Sequence, residues 1–252
     1  MVKITRQILK EAIDETFSDI LGANNPNYVS LEEAVANFDR WFQGSKVVDE
    51  NGDPLLCYHG TPTGGFTVFN TIEGVDKKTK WQLLFGSHFT NSKEQAEFYR
   101  DQKKTKNNML YTVFLSIKNP IDLTAHGEYV VVSKPVPGAK YPWPMHPEIV
   151  DLLHKLMSPR TLAKYKLPDS NNETYNLWNI LNDMTPFKAR KVIEDLGFDG
   201  IKYDARYVMG PSIPGYASER RDLSWIAFYP NQIKSATQNN GMFDPNSDDI
   251  NK

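Results

Sequence analysis

Apolar residues recur three or four positions apart through the first forty residues, which predicts two amphipathic helices. The second helix begins at Ser30, where Glu33 three residues later completes the pattern of a capping box. The apolar positions of the first helix are Ile4, Ile8, Leu9, Ala12, Ile13, Phe17, Ile20 and Leu21. Those of the second helix are Leu31, Ala34, Val35, Phe38, Trp41 and Phe42. We predict that residues 1–45 form a helical segment that covers the core.

After residue 45 the pattern changes to short apolar runs separated by turn residues, which is typical of strands. Apolar runs at 55–58, 110–117 and 225–229, together with the short stretch 86–90, predict four strands, and the stretch 197–201 leads into a fifth. A helix should follow the stretch 86–90, because Ser92 is followed three residues later by Gln95 as in a capping box. We therefore predict a mixed α and β domain over residues 46–252.

Residues 126–185 interrupt this pattern and are predicted to be an insertion. The stretch 134–144 is too rich in proline for a helix or a central strand. Farther along, apolar residues again recur at helical spacing, so the insertion should be partly helical. It is either a lid of additional core or a surface that recognises a partner.

Composition indicates a soluble intracellular protein with a substantial core. The chain has 252 residues, of which 40% are hydrophobic and 24% charged, and its net charge of −2 gives no general attraction to nucleic acid. Cys57 is the only cysteine, so no disulfide can form within the chain and a reducing compartment is expected. No apolar run has the roughly eighteen residues of a membrane span, and the first residues lack a signal-peptide pattern.

The stretch Tyr58–Thr61 carries the most chemistry. It places His59 at a strand end beside Gly60 and Thr61, and a glycine lets a ligand approach the main chain while an imidazole can hold a ribose hydroxyl. These are parts of a nucleotide site, although a histidine in a tight turn has the same three-residue pattern. Cys57, two residues earlier, leaves a Cys-His nucleophile pair as an alternative. His88, His126, His146 and His154 have no spacing that suggests a metal site.

Five segments together resemble one enzyme superfamily: Trp41–Val48, Gly86–Tyr99, Gly197–Ile201, Pro230–Ser235 and Asn240–Asn246. With the His-Gly-Thr strand, they resemble the ADP-ribosyltransferase superfamily, most closely the phage-associated branch found in polyvalent and head-morphogenesis proteins. The resemblance spans about residues 40–250. It implies an α+β fold with an ADP-ribosyltransferase-like split antiparallel β core, N-terminal helices and a partly helical insertion.

The resemblance also implies NAD as the substrate and assigns roles to site residues. His59 would hold a ribose, main-chain groups of Gly60 would clamp the nicotinamide carboxamide, and Thr61 would support them. Phe89 and Tyr99 would flank the nicotinamide ring, unless they are ordinary core aromatics. His88, eleven residues before Tyr99, takes the position of the first site tyrosine of poly(ADP-ribose) polymerases. The implied cofactor-binding residues are His59, Gly60, Thr61, His88, Phe89, Thr90 and Tyr99.

A catalytic glutamate of the His-Tyr-Glu subgroup is missing, because its position at the start of the last strand corresponds to Ser224. A carboxylate there would stabilise the cation that develops on the ribose. Asp222 would share the face of Ser224 if the strand begins that early, and Glu219 lies in the preceding loop. We predict Glu219 and Asp222 as substitute acids beside His59, although alternating charge at 219–222 is also typical of a solvated loop.

The resemblance therefore implies an NAD-dependent mono-ADP-ribosyltransferase, encoded by a phage or prophage or acting as a toxin, in the host bacterial cytoplasm or on the virion. Its acceptor would be a host protein or nucleic acid, and the lysines of 77–80 and 103–106 would meet phosphates if they are not simply solvated. The alternatives are an NAD glycohydrolase and an inactive binding module of a phage particle or toxin–antitoxin assembly. An antitoxin or phage structural protein is then a further possible partner, and no membrane is involved.

Overall fold

The computed structural model describes residues 29–69, 86–103, 105–122, 158–160, 186–195, 197–204 and 222–252. The predicted first helix and nearly all of the 126–185 insertion lie outside these residues, as does Glu219. The helices are α1 (Leu31–Phe42), α2 (Lys93–Asp101) and α3 (Pro186–Asp195). The strands are β1 (Cys57–Thr61), β2 (Ser87–Thr90), β3 (Met109–Leu115), β4 (Pro120–Asp122), β5 (Gly200–Asp204), β6 (Leu223–Ala227) and β7 (Ile233–Ser235), and a 3-10 turn at Pro230–Gln232 precedes β7.

The seven strands form one sheet in the order β4-β5-β6-β2-β1-β3-β7. Neighbouring strands are antiparallel except for β4 and β5, which are parallel. The α+β fold is therefore confirmed. Its sheet is antiparallel except for one parallel pair at an edge. No helix among the described residues is both long and apolar enough to cross a membrane.

The sheet is weakest between β1 and β2. These strands share the single register pair Tyr58↔Thr90, whereas β1 pairs with β3 at five positions from Cys57↔Val113 to Thr61↔Met109. On the other side, β2 pairs with β6 at four positions. The centre of the sheet is thus split, with His59, Gly60 and Thr61 following the one pair that joins its halves.

Helix α1 forms as its capping pattern predicts and packs on one end of the sheet. The Ser30 hydroxyl accepts a hydrogen bond from the Glu33 main-chain N–H at 3.2 Å, which satisfies one of the free donors of the first turn. The Phe38 ring lies 4.9 Å from that of Phe114 on β3 and 5.1 Å from that of Phe243. The helix therefore shares a core with the sheet and the C-terminal segment, and the domain boundary at residue 45 stays a prediction.

Hydrogen bonds between Gln232 and Asp199 link two of the segments that carry the family resemblance, Pro230–Ser235 and Gly197–Ile201. The Gln232 side-chain oxygen accepts from the N–H groups of Phe228 and Tyr229 at 2.9 and 2.8 Å, and its Nε2 donates to the Asp199 carbonyl at 2.9 Å. The Asp199 carboxylate accepts from the main-chain N–H groups of Lys118 and Asn119 at 2.8 and 2.7 Å. These bonds join three loops at one end of the sheet, so the two segments have a structural role.

Lys234 holds the C-terminal segment against β7. Its side chain is 0% exposed, and its Nζ donates to the carbonyl oxygens of Ser247 and Asp249 at 2.8 and 3.1 Å. Burial lowers the pKa of Lys234 from 10.5 to about 8, while Asp244 and the neighbouring aspartates act in the opposite direction.

We expect the free energy of unfolding to rise between pH 8 and pH 10.5. Over that range the unfolded lysine still binds a proton that the folded one has released, so the contribution approaches roughly 3 kcal/mol. Urea unfolding at several pH values should show this increment in the wild type but not in Lys234→Met. Equal pH dependence in both proteins would contradict the lowered pKa.

Candidate functional site

His59 lies at the split between β1 and β2. Its Nδ1 donates to the main-chain carbonyl of His88 at 2.8 Å, so a side chain bridges the strands where their main-chain pairing has ended. Its ring packs 5.2 Å from Phe69, 5.6 Å from Phe89 and 6.2 Å from Tyr111, measured between ring centroids. Burial lowers the pKa of His59, and the bond to the carbonyl partly opposes this effect. The ring is therefore neutral at pH 7, with its proton on Nδ1 and a lone pair on Nε2.

Gly60 occupies the opposite face of β1, where α2 packs directly on the strand. An ideal Cβ at this position would lie 1.6 Å from the carbonyl oxygen of Ala96 and 2.9 Å from the main-chain nitrogen of Arg100. The sequence predicted that a ligand approaches the main chain at Gly60, but on this face the backbone of α2 makes the close approach. The ligand contact predicted for the main chain of Gly60 stays a prediction.

Phe89 and Cys57 share the face of His59 and are packed into the core. Phe89 is 2% exposed and pairs in register with Trp225 on β6. Its ring supports the His59 imidazole, and in this conformation it has little surface for stacking on a ligand. Burial raises the pKa of the Cys57 thiol, which disfavours the thiolate required by a Cys-His nucleophile pair.

A second group of polar side chains lies on the α2 face of the sheet. The register places Thr90, Ser224 and Tyr203 side by side on β2, β6 and β5, with His88 two residues from Thr90. The Tyr203 hydroxyl lies 3.0 Å from Nδ1 of His88, and Tyr203 pairs in register with Ser224. Burial raises the pKa of Tyr203, and the charge that Tyr99 would carry raises it further. We call His88, Tyr99, Tyr203 and Ser224 the polar cluster.

Tyr203 was not among the residues predicted from the sequence. Its place in the cluster depends on β5 pairing with β6 so that Tyr203 lies opposite Ser224. Alternation within the strand could have predicted the face of the sheet on which Tyr203 lies, but not that Ser224 lies beside it. Tyr99, by contrast, was predicted, and burial raises the pKa of its hydroxyl to about 12.

Two of the predicted binding hydroxyls are used locally. Thr61 Oγ1 accepts from the main-chain N–H of Thr63 at 3.2 Å. Thr90 Oγ1 donates to the side-chain oxygen of Gln95 at 2.5 Å and accepts from the N–H of Ser92 at 3.1 Å. These contacts stabilise the turn after β1 and the start of α2, and a direct contact of either threonine with NAD stays a prediction.

Asp222 lies at the far end of β6 from the split. The strand begins at Leu223, one residue later, and the main chain of Leu223 exchanges hydrogen bonds with Asn91. His88, which binds His59, pairs with Ile226, four residues from Asp222 and thus roughly 13 Å along the strand. Ser224 is 2% exposed, and its side chain carries no charge.

The structure thus brings His59 and Phe89 together on one face of the sheet, and His88, Ser224 and Tyr99 on the other. His59 and Tyr99 thus belong to opposite faces of the sheet, and His88 contacts His59 through its main chain and Tyr203 through its side chain. Over the described ranges, no three or more His, Cys, Asp or Glu side chains are grouped so that they could hold a metal ion.

Comparison with known proteins gives one family. The model of ADP-ribosyltransferase domains in polyvalent proteins matches residues 49–243, a span that includes β1 to β7 and both groups of site residues. No curated protein and no solved structure matches the chain. Because the family model covers more than half of the sequence, the chain belongs to the ADP-ribosyltransferase domains of polyvalent proteins.

Proposed function

We propose that the protein is an NAD-dependent mono-ADP-ribosyltransferase that binds NAD at the split between β1 and β2. The observation that carries this proposal is the geometry of His59. Its Nδ1 is fixed by the His88 carbonyl at 2.8 Å, so its neutral Nε2 is an oriented acceptor for a ribose hydroxyl. Such an acceptor fits the ribose next to nicotinamide in NAD.

The remaining groups at the split fit the nicotinamide end of the same ligand. The main chain of Gly60 can pair with the carboxamide, and the aromatic rings of His88 and Tyr99 can flank the pyridine ring. When bound, NAD supplies an activated glycosidic bond whose cleavage releases nicotinamide. The protein's part is to hold the ribose and to leave one face of its anomeric carbon open to the acceptor nucleophile.

The uncharged Ser224 supports mono transfer over chain elongation. In the family pattern a carboxylate at this position polarises a ribose hydroxyl, and serine supplies neither that charge nor a base at neutral pH. We propose Glu219 and Asp222 as the acids that compensate, with the distance of Asp222 from the split counting against it. Glu219→Gln and Asp222→Asn test this assignment by NAD cleavage rates, and wild-type rates in both variants would reject it.

Incubation of the protein with adenine-labelled NAD and a bacterial lysate distinguishes the candidate functions. A transferase places the label on macromolecules, and nuclease and protease digestion then shows whether the acceptor is nucleic acid or protein. Free ADP-ribose in place of labelled macromolecules would show an NAD glycohydrolase, which the uncharged Ser224 position also allows. No consumption of NAD would leave an inactive binding module and reject the proposal.

The acceptor and the biological setting follow from the family assignment as proposals. We propose a phage- or prophage-encoded protein, or a toxin, that modifies a host macromolecule in the bacterial cytoplasm. Residues 126–185, which the sequence predicts to be an insertion outside the NAD-binding pattern, are proposed to recognise the acceptor. Removing 130–180 should abolish labelling of macromolecules while NAD cleavage remains, and loss of folding would instead favour a role in the core.

A further inference from the structure

Tyr203 reaches across one strand to contact a site residue on the next. It starts from β5, lies opposite Ser224 on β6, and brings its hydroxyl to 3.0 Å from Nδ1 of His88 on β2. The ring is 5% exposed and meets the His88 ring at an interplanar angle of 75°, with 6.1 Å between centroids. This contact therefore restrains the orientation of the imidazole.

We propose that Tyr203 is a positioning residue for His88, fixing the imidazole as the tautomer that carries its proton on Nε2. In this arrangement the Tyr203 hydroxyl donates to Nδ1 of His88. A phenol O–H is a stronger donor than a neutral imidazole N–H, and an imidazole nitrogen is a stronger acceptor than a phenol oxygen, so this direction of the hydrogen bond is favoured. The raised pKa of Tyr203 keeps the proton in place through neutral pH.

The two imidazoles near the split then have opposite polarity. His59 carries its proton on Nδ1, because that nitrogen donates to the His88 carbonyl, and its Nε2 is an acceptor. His88 would carry its proton on Nε2, which makes that nitrogen a donor. A ribose hydroxyl of NAD, which can both donate and accept a hydrogen bond, fits such a pair, and this step rests on the proposed function.

Tyr203 lies beside the position of the absent carboxylate, because it pairs in register with Ser224. Both side chains are uncharged, and that of Tyr203 contacts a histidine. Tyr203 would therefore influence the reaction through His88.

The tautomer can be measured directly by NMR of the full chain with 15N-labelled histidine, in the absence of NAD. We expect Nε2 of His88 to be protonated in the wild type, with the Nδ1 shift of a nitrogen that accepts a hydrogen bond. In Tyr203→Phe the ring is retained but the donor is lost, so the Nδ1 signal should shift from its wild-type value. Protonation at Nδ1, or an unchanged Nδ1 shift in the variant, would overturn the proposal.

Tyr229→Phe is the matched control, because Tyr229 is 40% exposed and packs on Arg190, outside the polar cluster. It loses a tyrosine hydroxyl and should leave the His88 signals unchanged. In an NAD cleavage assay, Tyr203→Phe should lower kcat about tenfold, the effect of one lost hydrogen bond, with a melting temperature near that of the wild type. If the wild type proves not to cleave NAD, the proposed function fails and the NMR result still decides the role of Tyr203.

Discussion

Replacing His59 with asparagine is expected to lower kcat/KM for NAD cleavage by roughly 10- to 100-fold while the protein stays folded. The asparagine amide can take over the donor role of Nδ1 toward the His88 carbonyl, which lies 2.8 Å away in the wild type. It has no counterpart of Nε2, so the ribose hydroxyl that would donate a hydrogen bond to this nitrogen is left without its acceptor. Steady-state rates of nicotinamide release, together with NAD affinity by calorimetry, measure the effect.

His59→Gln is the complementary variant. Its amide oxygen can reach the position of Nε2, but the His88 carbonyl loses its donor, so this substitution should disturb the split more and ligand recognition less. Melting temperature and rate should therefore rank the two variants in opposite orders. Wild-type kcat/KM in folded His59→Asn would mean that Nε2 does not bind substrate, and the proposed site would have to be abandoned.

Elements whose signals are local could be predicted from the sequence. Helices α1 and α2 begin where Ser30 and Ser92 cap them, since each capping bond spans only three residues. Strands β1, β2, β3 and β6 overlap the four predicted strand segments for a similar reason, because alternation and turn residues act over short distances. Strands β4 and β7, of three residues each, were not predicted. His59 was predicted at a strand end, and this prediction is wrong, because β1 continues to Thr61 and His59 is its central residue.

Contacts that depend on register could not be predicted. Phe89 follows His88 by one residue, yet it faces the core while His88 faces Tyr203, and only the pairing of β2 with β6 determines what each side chain meets. Asp199 and Gln232 were recognisable as parts of a family-like pattern, but their bonds join residues 33 positions apart. A single sequence carries no signal that specifies such distant pairs.

The reason for Gly60 was likewise visible only in the structure, and it leads to the largest expected change in stability. In Gly60→Ala the new methyl group would lie 1.6 Å from the carbonyl oxygen of Ala96, so α2 must move away from β1. Because the obstacle is helix backbone, we expect a loss of about 3 kcal/mol or more in the free energy of unfolding. Urea unfolding should be compared with Gly52→Ala, where φ is +83° and no atom lies within 4 Å, so only backbone strain of about 1 kcal/mol is expected. Equal losses in the two variants would show that α2 does not pack on β1 as closely as described, and the positions of Tyr99 and the polar cluster would then need revision.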